Sequence, residues 1–170
     1  MRTIRLAVIH CSATPRSMDI GAKEIRLWHV DLNGWSDIGY HYIIRLDGTV
    51  EYGRPIERIG AHVKGRNKDS IGIVYVGGVD EDLNPMDTRT ECQKEQLVAL
   101  LKMLKKDHPG IEIMGHRDLS PDLDGDGDID ILVSDTYQDK VLWIENLDGA
   151  GTFGPPKIID NNADNVNDAI

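Results

Sequence analysis

At 170 residues, 40% of them apolar, the chain has material for one packed domain and a small appendage. Its net charge of −10 sits at one end: residues 1–121 carry 17 Lys/Arg against 17 Asp/Glu, and residues 122–170 carry 2 against 12. The acidic balance and the absence of clustered Lys/Arg exclude a nucleic-acid surface, and no run of about 20 apolar residues is present to insert into a membrane. Leu6 to Ile9 is too short an apolar start for a secretory signal, so a chain made in the cytoplasm is expected to leave it by another route. The two cysteines, Cys11 and Cys92, give no disulfide framework and are expected as buried or idle thiols.

In chain order, Arg5-Leu-Ala-Val-Ile-His-Cys11 predicts a buried strand with His10 at its end. Ile20, Ile25, Leu27 and Trp28 recur among charges at helical spacing, predicting a helix over 20–30 that Asn33-Gly34 stops. Tyr40-His-Tyr-Ile-Ile-Arg-Leu46 and Thr49-Val-Glu-Tyr52 flank Asp47-Gly48, which supplies the positive φ of a hairpin turn. Strand alternation would send His41 away from Tyr40 and put Tyr42 on the same face as Tyr40. The polar segment 64–70 is either a solvated loop or the wall of a peptide groove. Ile71-Gly-Ile-Val-Tyr-Val76 predicts another buried strand. Leu97, Leu100, Leu101 and Leu104 form the apolar stripe of a helix over 90–106, closed by Pro109-Gly110. A last strand, Ile111-Glu-Ile-Met114, runs into Gly115-His-Arg-Asp118. The ordering predicts an α/β fold: a mixed central sheet flanked by helices over 1–121, with a small all-β appendage over 122–170.

His10 and His116 thus stand at the ends of two strands that a sheet can bring together. Imidazoles so placed suit zinc, which takes nitrogen, sulfur or carboxylate ligands and, when catalytic, keeps one position for water. By spacing alone, such histidines are more often hydrogen-bonded structural residues. His29 and His108 lie among charges in or after helices and are expected at the solvated surface, and His41 is expected to be structural.

The words Ile9-His-Cys-Ser-Ala-Thr14, Gly34-Trp-Ser-Asp-Ile-Gly-Tyr-His-Tyr42, Asp47-Gly-Thr-Val50, Gly60-Ala-His-Val-Lys-Gly65, 67–72 and Gly115-His-Arg-Asp118 occur in this order. Together they resemble the zinc-dependent N-acetylmuramoyl-L-alanine amidases, the family of amidase-type phage lysozymes and peptidoglycan recognition proteins, over about residues 3–121. The resemblance implies zinc ligands at His10 and His116, a catalytic tyrosine at Tyr40 and substrate contacts from His62, Lys64 and Asn67. It also implies hydrolysis of the amide between N-acetylmuramic acid and L-alanine in bacterial peptidoglycan. The family's third ligand, Cys or Asp, lies downstream of the second histidine, where the phage branch adds a lysine. This chain has neither cysteine nor lysine between His116 and Lys140, leaving Asp124 and Asp126, eight and ten residues after His116, as the candidates.

The same aspartates have a competing use. Asp122, Asp124, Asp126, Asp128 and Asp130 alternate as the oxygen ligands of a calcium loop do. An EF-hand would need Glu at the twelfth position, which is Val133. With strands at Ile131-Leu-Val133 and Val141-Leu-Trp-Ile-Glu-Asn146, and the word Gly151-Thr-Phe-Gly154, the segment resembles a single FG-GAP or VCBS repeat, a propeller blade without neighbours to pack on. The sequence therefore points to a zinc hydrolase of the bacterial cell wall with a calcium-binding or vestigial appendage. Its rivals are a peptidoglycan-binding module that lacks the third ligand and a calcium-dependent adhesion module.

Overall fold

The computed structural model describes residues 2–119 and, beyond them, the backbone of three strands. β1 (Leu6–Cys11) pairs in parallel with both β4 (Ser70–Tyr75) and β5 (Glu112–Gly115). β2 (Tyr42–Ile44) lies parallel to the other edge of β4 and forms an antiparallel hairpin with β3 (Val50–Tyr52). The order is β3-β2-β4-β1-β5, the mixed sheet the sequence predicts. The hairpin turns at Gly48, with φ +87°, and Asp47 braces it by accepting the Thr49 N–H at 2.8 Å.

Alternation along these strands sorts the apolar side chains onto two faces. Ala7, Ile9, Tyr42, Ile44, Ile71, Ile73 and Tyr75 bury one face under Leu97, Leu100, Leu101 and Leu104 of α2 (Glu91–Asp107). Thr90 starts α2 with a reciprocal cap: its Oγ1 accepts the Gln93 N–H at 3.1 Å, and Gln93 Oε1 accepts the Thr90 N–H at 2.9 Å. Gln93 then donates its amide N–H groups to the carbonyls of Ile44 and Val76, fastening the helix start to β2 and β4. On the opposite face, Ile43, Val74 and Val76 pack with Ile20, Ile38 and Ile25 of α1 (Ala22–Leu27). α1 is shorter than the expected helix because the chain widens into a π-helical turn over Trp28–Leu32, ending before Gly34 at φ +70°. No helix among the described residues is long and apolar enough to cross a membrane.

One expectation fails here. Tyr42 lies with the α2 core, whereas Tyr40 packs against the opposite cluster. Period-two alternation holds only within a regular strand, and β2 begins at Tyr42. Tyr40 and His41 precede it, bonded through their carbonyls to the N–H groups of Arg54 and Gly53.

Beyond residue 119, β6 (Ile131–Asp135), β7 (Lys140–Ile144) and β8 (Lys157–Asp160) form a separate antiparallel sheet in the order β6-β7-β8. The first two overlap the strands expected there. The aspartate run 122–130 and the word 151–154 lie outside the described residues.

Candidate active site

The site is built on the α1 face of the sheet, at the ends of β1 and β5. Ile9 is in register with Gly115, so the next residue along each strand is a histidine: His10 on β1, and His116 at the start of the short helix α3 (His116–Leu119). Their ring centroids are 4.6 Å apart. Tyr40 enters from the segment before β2 and brings its ring to 5.1 Å from that of His10. His62 joins from the loop before β4, with its Nδ1 3.0 Å from His10 Nε2 and its ring 6.5 Å from that of Tyr40. The sequence-derived trio of His10, His116 and Tyr40 is thus brought together.

His62 lies inside this group and is buried. The space it fills exists because β4 carries Gly72 beneath it. A Cβ at Gly72 would stand 2.5 Å from His62 Cγ, and one at Gly60 would stand 2.7 Å from both His62 Cδ2 and His41 Cε1. Below the ring, Ser70 Oγ lies 3.1 Å from His62 Nε2 and donates to the Arg66 carbonyl at 2.7 Å. Asn67 holds the loop itself, accepting the N–H groups of His62 and Val63 on its Oδ1 at 2.8 and 2.9 Å. Lys64 is exposed on the same loop. Asp122, Asp124, Asp126, Asp128 and Asp130 lie outside the described residues, and among the described residues no group of three or more His, Cys, Asp and Glu is placed to hold a metal.

The electrostatics follow from burial. Desolvation, reinforced by the neighbouring His62 and His116, holds the His10 imidazole well below its ordinary pKa. His62 is pushed down to about 3 by burial first, then by His41 and His116. Burial likewise lowers His116. These rings are therefore neutral at ordinary pH, the form in which imidazole accepts a metal. Tyr40 is pushed up to about 12 by burial, with the Cys11 thiol adding to the shift, so its hydroxyl keeps its proton.

Sequence reasoning missed several supporting residues. His29, expected at the surface, is half-buried and accepts the Gly39 N–H on Nδ1 at 3.0 Å. Its ring lies between Trp35, at 4.5 Å, and Tyr40, at 5.5 Å. His41, by contrast, is structural as the sequence predicts: its Nδ1 accepts the Gly72 N–H at 2.9 Å. A glycine inside an otherwise β-branched strand signals close approach of another group; Gly72 carries that signal, whereas nothing in the local pattern marks Ser70. Cys11 and Cys92 are free thiols, as expected.

The mixed central sheet flanked by helices brings His10, His116 and Tyr40 together. A family model described as N-acetylmuramoyl-L-alanine amidase matches residues 1–128, a span that runs past Pro121 into the aspartates. The endolysin of Klebsiella phage KP32 is 49% identical over 113 residues, covering 66% of this chain and 74% of that protein. The endolysin of Escherichia phage T7 is 44% identical over 114 residues, with the same 66% and 74% coverage. Among solved structures, the N-acetylmuramoyl-L-alanine amidase LysC from Clostridium intestinale superposes with a TM-score of 0.61 at 30% identity, over 69% of this chain and 73% of that one. The chain belongs to the N-acetylmuramoyl-L-alanine amidase family, and it is an amidase.

Proposed function

We propose that this amidase is zinc-dependent and cleaves the amide between N-acetylmuramic acid and L-alanine in bacterial peptidoglycan, lysing the cell wall. The observation that carries the reading is the convergence of His10, His116 and Tyr40 at the ends of β1 and β5. Zinc fits these donors: both imidazoles are kept neutral by burial, and among the described residues neither His116 nitrogen nor His10 Nδ1 makes a hydrogen bond. His10 and His116 would hold the ion. A third protein donor has to come from outside the described residues, and Asp126 or Asp124 is proposed for it on spacing, a carboxylate being a sound third ligand. When bound, zinc supplies an acidified water and a polarised carbonyl.

The protein's own groups do the rest. Tyr40 stays protonated across the working range and donates a hydrogen bond to the oxygen on which charge develops. Lys64, exposed on the loop that carries His62, is proposed to attract the acidic stem peptide, and Trp35 to form the rim of the groove on the His29 side. Residues 122–170 are proposed as a distinct acidic repeat that takes calcium when its aspartates are not engaged by zinc. His10→Ala and His116→Ala should each lose bound zinc and wall lysis together; zinc retained at one ion per chain in either variant would overturn the ligand assignment.

A further inference from the structure

A chain of hydrogen bonds runs from the site into the protein: His10 Nε2 to His62 Nδ1 at 3.0 Å, His62 Nε2 to Ser70 Oγ at 3.1 Å, and Ser70 Oγ to the Arg66 carbonyl at 2.7 Å. Its last member fixes the direction of all the others. A carbonyl oxygen only accepts, so the single Ser70 proton is committed to Arg66 and Ser70 Oγ is left to accept. His62 therefore carries its proton on Nε2 and presents a bare Nδ1. His10 fills that acceptor with its own Nε2–H, and a neutral His10 is then bare at Nδ1, the nitrogen with no hydrogen bond among the described residues.

We propose that Ser70 and His62 form a relay that selects the tautomer of His10, making Nδ1 its metal-facing nitrogen and His62 a positioning residue that is neither a ligand nor a substrate contact. The relay rests on the zinc-amidase reading for its purpose, but its proton positions are a property of the metal-free fold. Three features support it. Ser70 is fully buried and His62 nearly so, so no water competes for these protons. Gly72 and Gly60 pack directly against the His62 ring, where a Cβ at either position would stand 2.5–2.7 Å from it. A ligating histidine whose second nitrogen is tied to a hydrogen-bond partner has its orientation and tautomer set by that partner, and here the partner is itself set by a serine.

The test is long-range ¹H–¹⁵N correlation on histidine-labelled protein, metal-free and then titrated with zinc. The relay requires both His10 and His62 to carry their protons on Nε2 in the metal-free protein. Zinc should then shift the His10 Nδ1 resonance while the His10 Nε2 proton persists. A proton on Nδ1 of either ring, or zinc acting on His10 Nε2, would overturn the proposal. If the Nε2 tautomers are present but no zinc binds, the relay stands and the zinc reading fails. Ser70→Ala should allow both tautomers of His62 and weaken zinc binding by roughly 10–100-fold, whereas Ser70→Thr, which keeps the hydroxyl, should restore the wild-type spectrum. An unchanged His62 tautomer in a folded Ser70→Ala protein would contradict the relay, and the wild-type spectrum decides the matter if the variant does not fold.

Discussion

Acid should destabilise the metal-free protein well above the range in which carboxylates titrate. His41 is 2% exposed and His62 9%, and burial pushes their pKa values down to about 4 and about 3. In the unfolded chain both return to about 6.5. Because the folded values are depressed, the unfolded chain takes up protons that the folded chain refuses as pH falls below about 6.5, and stability falls with it. From pH 7 to pH 5 the loss is about 2 kcal/mol for each ring and about 4 kcal/mol for the pair. His10, also held low by burial, acts in the same direction. Against a typical domain stability of roughly 5–15 kcal/mol, this is a large fraction. The assay is urea unfolding in a chelator, followed by tryptophan fluorescence at the two pH values. His41→Asn, whose side-chain oxygen can still accept the Gly72 N–H, should reduce the acid loss by about half. A wild-type difference below about 1 kcal/mol would refute the argument, because it would mean that these rings are solvated in the folded state.

Three further outcomes follow from the site. Tyr40→Phe removes one hydroxyl and should leave zinc content unchanged while lowering kcat roughly 10²–10³-fold with little effect on KM; equal rates of wall lysis would remove Tyr40 from the mechanism. Gly72→Ala places a methyl 2.5 Å from His62 Cγ and should cost about 1–3 kcal/mol in thermal or urea unfolding, with weaker zinc binding as His62 is displaced; an unperturbed zinc affinity would show that His62 does not support His10. The double variant Asp124→Ala, Asp126→Ala should lose zinc in metal analysis if either carboxylate completes the site, and full occupancy would exclude both.

Much of the fold was legible because its signals are local and mutually consistent. The Leu97, Leu100, Leu101 and Leu104 stripe needs only helical periodicity, and the hairpin at Asp47-Gly48 needs only the positive φ that glycine supplies. The neighbouring places of His10 and His116 were legible at one remove, because the histidines at the ends of two parallel strands meet only if β1 and β5 pair. The reversed face of Tyr42 and the burial of His29 were not legible. Each depends on where a regular element gives way, at the start of β2 and in the π-helical turn after α1, and boundaries of that kind are set by tertiary hydrogen bonds. The inward turn of His62 was hidden for a different reason: it depends on Gly72 and Ser70, separated from it along the chain and brought under it only when β4 forms.

The central claim, that zinc on His10 and His116 drives cleavage of the N-acetylmuramoyl-L-alanine amide, is tested most directly by digesting purified peptidoglycan with the protein before chelation, after chelation and after zinc is restored, while counting bound zinc and identifying the new chain ends. The account predicts one zinc per chain, new L-alanine amino termini without new reducing sugars, loss of both zinc and cleavage in the chelator, and recovery on adding zinc. Undiminished release of L-alanine amino termini from protein shown to hold no zinc, or reducing ends in their place, would contradict it.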